Sequence, residues 1–245
     1  QLALSYEKKF RILFIQEYSK NQIPDANPEI TKYLSKLNDT VNIFADKYPD
    51  SNKTPQLLLM AGSANRDVKK YDVALQYWNR VLLSNADINQ GAAAIRGIIY
   101  AAIKVNTARE VIEQIINFLT HKNKFIQNKD LYSELLEILS TTVISESEQR
   151  KNSADYADFG ALMVSLAQEF KDLPQRDKIF KDGAYFLAFK EDWVGAQKAC
   201  LNYINAGLVQ YKGDILYLLA KSYEYQLRFK DAILYYSMLA QDYPN

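Results

Sequence analysis

Apolar residues recur at spacings of three and four along most of the chain, the mark of amphipathic helices that each bury one face. Leu216, Leu219, Ala220 and Tyr223 show this spacing, as do Ala232, Tyr236 and Leu239. Strand-like alternation closed by Asn-Gly or Asp-Gly hairpin turns is absent. The pattern predicts helices over 3–19, 28–48, 54–67, 71–84, 87–104, 107–121, 127–146, 151–171, 175–190, 192–205, 208–226 and 229–242. The prolines Pro24, Pro28, Pro49, Pro55, Pro174 and Pro244 fall between these segments, where a helix starts or stops. Connections are short, which favours antiparallel neighbours and six consecutive hairpins.

One hairpin pattern recurs. In the last copy, Leu216, Leu219, Ala220 and Tyr223 share a face of the first helix, helix A. Ala220 is small and lets a second helix approach closely. Phe229 follows as an expected plug in the turn, and Ala232, Tyr236 and Leu239 line the second helix, helix B. A copy from Pro55 uses Leu58, Ala61 and Gly62, then Tyr71, then Ala74, Trp78 and Val81; an aromatic on helix A is replaced by Asn65. A copy from Asp177 uses Phe180, Gly183, Ala184 and Leu187, then Trp193, then Ala196, Cys200 and Tyr203. A degenerate copy uses Ile95, Ile98, Ile99 and Ala102, then Val111, Ile115 and Phe118. The segments 3–48 and 127–171 keep the helix–turn–helix outline without these residues.

This set resembles the tetratricopeptide repeat (TPR) family, whose unit of about 34 residues places small residues at close helix contacts. The resemblance implies an all-α fold, a right-handed α-solenoid of about six antiparallel helical hairpins. The expected organisation is an N-terminal degenerate or capping hairpin over 1–54, TPR-like repeats over 55–126, a degenerate hairpin over 127–174 and TPR-like repeats over 175–245. Irregularity is expected at the hairpin near 127–171. The helix endings Phe44–Asn52 and Leu239–Asn245, each with Tyr-Pro, resemble those of bacterial cell-envelope TPR proteins, such as the TolA-binding cell-division coordinator and the outer-membrane assembly lipoproteins. That resemblance implies the bacterial periplasm or envelope; the cytoplasm stays open as the alternative.

Charge and composition narrow the classes of function. Thirty basic and 29 acidic residues leave a net charge of +1, no electrostatic footprint for nucleic acid or an anionic membrane. The balance is uneven along the chain, at +4 over 55–127 and −5 over 128–175. No segment approaches a membrane span, and no signal-peptide pattern appears. A start at Gln1 is expected of a processed or trimmed form, and the ending after Tyr243 falls where another repeat would begin. One cysteine, Cys200, excludes an internal disulfide framework and reads as a small core residue. Compartment stays open on this evidence.

Catalytic signals are missing. The single His121 sits at a helix end, where it suits a capping role at the negative end of the helix dipole. Neither a P-loop nor a dinucleotide fingerprint occurs, and Gly91 to Gly97 reads as a helix-packing stretch. Glu134/Glu137 and Glu146/Glu148 read as an acidic face. The expectation is a protein that is not an enzyme and takes neither cofactor nor metal.

In the TPR family, exposed helix-A positions on the concave side contact partners. Here those positions hold Gln56, Leu59, Ser63, Arg66 and Asp67; Ala93, Arg96, Tyr100, Ile103 and Lys104; Lys178, Lys181, Tyr185, Ala188 and Phe189; and Asp214, Tyr217, Lys221, Glu224 and Tyr225. Arg96, Tyr100, Lys104, Lys181, Tyr185, Tyr217, Lys221 and Tyr225 are the candidate partner-binding residues. The tyrosines offer flat apolar contact with a polar tip, and the cations suit carbonyls or carboxylates of a peptide. The Lys-to-Asn clamp of chaperone-binding members is absent from these positions. The expected function is a scaffold that binds a peptide or helix of another protein. The alternatives are a structural subunit of a multiprotein assembly, an enzyme on an α/α scaffold and an RNA-binding helical repeat.

Overall fold

The structure, a computed structural model, describes residues 1–19, 27–121, 123–150 and 156–243. Among them are twelve α-helices and no strand: α1 (Leu2–Ser19), α2 (Pro28–Lys47), α3 (Thr54–Asp67), α4 (Tyr71–Leu83), α5 (Ile88–Val105), α6 (Ala108–Thr120), α7 (Lys129–Gln149), α8 (Tyr156–Glu169), α9 (Arg176–Phe189), α10 (Trp193–Asn205), α11 (Lys212–Tyr225) and α12 (Phe229–Asp242). Successive helices pack on one another from α1 to α6 and again from α8 to α12. Pro24, Pro244 and the start of the predicted 151–171 helix lie outside the described residues. No described helix is long and apolar enough to cross a membrane.

The helix predicted from 208 starts four residues later, at Lys212. Gly207, with φ at 70°, turns the chain out of α10. The Gln210 N–H then donates to Asp177 and the Tyr211 N–H to the Tyr203 hydroxyl, so both amides are satisfied outside a helix.

The chain forms two compact units, Gln1–Ser133 and Glu134–Asn245. In unit 1 the core is built from the predicted inner faces. Leu58, Ala61, Ala74, Trp78, Val81, Ile95, Ile98 and Ile115 are essentially inaccessible. Trp78 is held between two glycines. A Cβ on Gly62 or on Gly97 would lie 2.5 Å from the indole, so only glycine admits the ring there. Gly91 likewise makes room for Phe125, which explains the glycine spacing of that stretch by packing alone. Asn65, which stands where the other copies carry an aromatic, is fully buried. Its amide donates to the Ala61 carbonyl and to Asn38, whose own amide donates back. A polar side chain is tolerated there because every bond it needs is made.

In unit 2, Phe180, Ala184, Ala196, Cys200, Tyr203, Ile215, Leu216, Leu219 and Ala220 form the core. Burial pushes the Cys200 thiol well above its ordinary range, so it stays a neutral packing group. Tyr203 is the partner of Asp177 as well as a core ring; its hydroxyl donates to that carboxylate at 3.0 Å.

The three legible hairpins share a turn that their sequences do not announce. Lys69, Glu191 and Leu227 have φ of 59°, 62° and 59°, and each stands two residues before the plug aromatic. The residue after each one donates its N–H back five residues: Lys70 to Asn65, Asp192 to Leu187 and Arg228 to Tyr223. This is the left-handed helix ending that satisfies orphan carbonyls. The degenerate copy lacks it. Its turn is closed instead by a capping box, in which Thr107 accepts from the Glu110 N–H and Glu110 accepts from the Thr107 N–H.

The plug reading of Phe229 is corrected. Its ring is 56% exposed. Tyr71 and Trp193, at the same position, lie against aromatic rings of the following helix A, Tyr100 and Tyr225. The ring at this position packs on the next helix A in both hairpins, and α12 has no described helix after it.

Candidate functional site

The eight candidate residues separate by unit. In unit 1, Tyr100 is exposed near the middle of α5 and Arg96 is half-buried one turn before it. The Lys104 ammonium lies 5.6 Å from the Tyr100 ring centroid, and the Arg66 guanidinium 5.7 Å from it. Arg66 also bonds Asp67, which in turn takes Arg11 at 2.6 Å. The result is a solvent-facing patch in which the Tyr100 ring, itself against Tyr71, is flanked by cations.

In unit 2 the arrangement is concave. Tyr185, Phe186, Ala188 and Phe189 from α9, Trp193 from α10, and Tyr217, Leu218, Lys221 and Tyr225 from α11 line a cavity of about 490 Å³. Four of the five unit 2 candidates therefore meet at one place. None of the four is fully buried: Tyr217 and Tyr225 are exposed, and Tyr185 and Lys221 half-buried. The fifth, Lys181, turns away. Its ammonium lies 4.4 Å from the Tyr211 ring and 3.3 Å from Asp182.

The helical register explains the convergence. Tyr185 and Phe189 are four apart on α9, and Tyr217, Lys221 and Tyr225 recur every four on α11, so each set forms a stripe along its helix. Trp193 begins α10, where the left-handed Glu191 swings it over the end of α11. Its indole stacks flat on Tyr225, 3.9 Å between centroids. Gln226 extends the same contact, donating to the Trp193 carbonyl and to Gln197.

The electrostatics are mixed. Burial first, and the neighbouring Asp214 carboxylate second, push the Tyr185 hydroxyl up to about 12, so it remains a neutral hydrogen-bonding group. Lys221 lies 3.6 Å from Glu224. Glu224 also accepts the Tyr236 hydroxyl at 2.8 Å, which holds its carboxyl below the usual range. The wall is thus mainly aromatic, with one ammonium and phenol hydroxyls at its edge, a composition suited to desolvating a bulky apolar side chain.

Sequence reasoning missed Trp193, Phe186 and Leu218 as cavity residues. Trp193 had been assigned to packing, and Phe186 and Leu218 lie beside the selected stripes. The four aromatic residues from Tyr185 to Trp193 and the three on α11 were the available signal.

Elsewhere, the sequence-selected side chains have structural roles. His121 caps α6 and lies 3.0 Å from the Asn117 carbonyl through Nδ1. Glu146 pairs with Arg150, and Glu134 and Glu137 are exposed on α7.

No family model matches the sequence, and no curated protein does. Among solved structures, the chain is similar to the crystal structure of the P58(IPK) TPR domain, with 12% sequence identity and a TM-score of 0.35. That match covers 97% of this chain and 60% of the other.

Proposed function

We propose that this protein is an interaction scaffold that captures a segment of a partner protein on the helix-A face of unit 2, without performing chemistry on it. The observation that carries the reading is the aromatic cavity of about 490 Å³, which gathers Tyr185, Tyr217, Lys221 and Tyr225 at its wall. Exposed apolar surface concentrated in one concavity is costly to leave solvated and marks contact surfaces. Large aromatic side chains with a polar tip carry much of the energy at such surfaces. The test is quantitative affinity capture from source cells with the full chain and with its Tyr217→Glu variant, matched for fold by circular dichroism. A partner lost at least tenfold with Tyr217→Glu supports the reading. Identical captured sets oppose it.

A second reading has its own observation. Phe229, Ile233, Leu234 and Met238 are all exposed on α12. A structural subunit would cover this face with a second copy of the chain, antiparallel across α12, so that Arg228 and Lys230 at one end meet Asp242 at the other. Sedimentation of the full chain decides it: a dimer that Ile233→Glu dissociates supports this reading, and a monomer at high concentration removes it.

A further inference from the structure

The α11 stripe that lines the unit 2 cavity carries charge as well as apolar groups: Lys221 lies in the wall, and Asp214 stands on the same stripe just outside the lining residues. Asp214, Tyr217, Lys221 and Tyr225 recur along α11 at intervals of three, four and four, so they run in a line down one face. Asp214 is in the first turn of α11, at the positive end of the helix dipole. It is exposed, and no cation among the described residues pairs with it. Lys221 stands seven residues on, about 10 Å along the axis. Its nearest carboxylate, Glu224, is 3.6 Å away and already accepts the Tyr236 hydroxyl. An ammonium has three donors, so Lys221 can take a further acceptor. Between the two charges lies Tyr217, with Tyr185 beside it across the cavity, and the Trp193–Tyr225 stack stands one turn beyond Lys221.

We infer that the captured segment carries one bulky apolar side chain, with a basic residue on its Asp214 side and an acidic residue on its Lys221 side. This rests on the capture reading above. The spacing follows from the 10 Å separation. In an extended segment, which advances about 3.3 Å per residue, the two charges stand about three positions apart with the anchor between them. On a helix they stand about seven apart. A segment with the charges reversed places like charges together at both ends of the line and is rejected. The cavity, about 490 Å³, has room for a large apolar side chain together with neighbouring groups, so the anchor sets position and the charges set direction.

The test is a random twelve-residue peptide library displayed on phage and selected on the full chain, with Asp214→Lys and Lys221→Glu variants assayed in parallel. Asp214→Asn, checked by thermal melting, controls for the helix-terminus effect. The expected result is enrichment of peptides with an aromatic or leucine anchor between a basic and an acidic residue. The dominant synthetic peptide loses at least tenfold in affinity for Asp214→Lys, and exchanging its basic residue for an acidic one restores binding to that variant. Peptides that lose affinity on Tyr217→Ala yet bind Asp214→Lys and Lys221→Glu within twofold of wild type overturn the charge inference and leave the capture reading standing. Peptides indifferent to Tyr217→Ala as well, or no enrichment at all, count against both.

Discussion

The Trp193 indole lies flat on the Tyr225 phenol ring, with centroids 3.9 Å apart and planes 5° from parallel. The contact joins the start of α10 to the end of α11, so it fixes one wall of the cavity and one hairpin junction together. Such a pair contributes about 0.5–1.5 kcal/mol beyond its buried area. A double-mutant cycle on Trp193→Ala and Tyr225→Ala, measured by urea unfolding, is expected to return a coupling in that range. A coupling near zero would separate the cavity wall from the packing of the repeat.

The left-handed turns make a prediction of opposite sign to most substitutions. Leu227 holds φ at 59° and its side chain is 75% exposed, so it accepts the strained conformation while burying little. Glycine adopts this region freely, though it also loosens the unfolded chain. Leu227→Gly is expected to stabilise unit 2 by up to about 1 kcal/mol. Destabilisation in chemical denaturation would show that the side chain holds the turn.

The inner faces of the hairpins were legible because small and apolar residues at three-and-four spacing have one use in such a fold. Ala74, Ala196 and Ala232 were placed by spacing alone, and all three are buried. The turns were not legible, because Lys69, Glu191 and Leu227 occupy positions usually marked by glycine. Phe229 was misread because the rings at this position in the other copies, Tyr71 and Trp193, pack on the next helix A, a contact that no local pattern reveals. Thr107 and Glu110 did carry a readable capping box, and it separates the degenerate copy from the others. At the candidate site the stripe on α11 was legible from register. The part played by Trp193 was not, since it depends on the direction in which Glu191 turns the chain.

Gly183 meets Gly160 across the α8–α9 contact, where a Cβ on Gly183 would lie 2.9 Å from the Gly160 carbonyl oxygen. Backbone cannot rotate away as a side chain can. Gly183→Ala is expected to cost about 1–3 kcal/mol, the overpacking outweighing the better helix propensity of alanine. Thermal melting checks it; an unchanged or raised midpoint contradicts the close approach of these two helices.

Tyr185 sets an alkaline limit. Its hydroxyl is pushed up to about 12 in the folded chain, by burial first and Asp214 second, against about 10 for an ordinary tyrosine. The folded state therefore holds a proton that the unfolded state releases earlier. Its contribution to stability is complete below pH 10 and is lost as the pH rises to about 12. Tyr185→Phe should flatten the decline of the thermal midpoint across that window. Tyr77, Tyr203, Tyr235 and Tyr236, whose hydroxyls are also pushed up, and the buried Cys200 thiol contribute to the remaining slope. An identical slope in the variant would contradict the buried setting of Tyr185.

The central claim is that the aromatic cavity of unit 2 is where a partner segment sits. The chain has two tryptophans, so its nitrogen–proton NMR spectrum has two indole signals. Trp193 lines the cavity and Trp78 is buried in unit 1. Titration with the peptide selected on the full chain is predicted to shift the Trp193 indole signal saturably and leave that of Trp78 in place. Saturable binding with the Trp193 signal unmoved would contradict the claim.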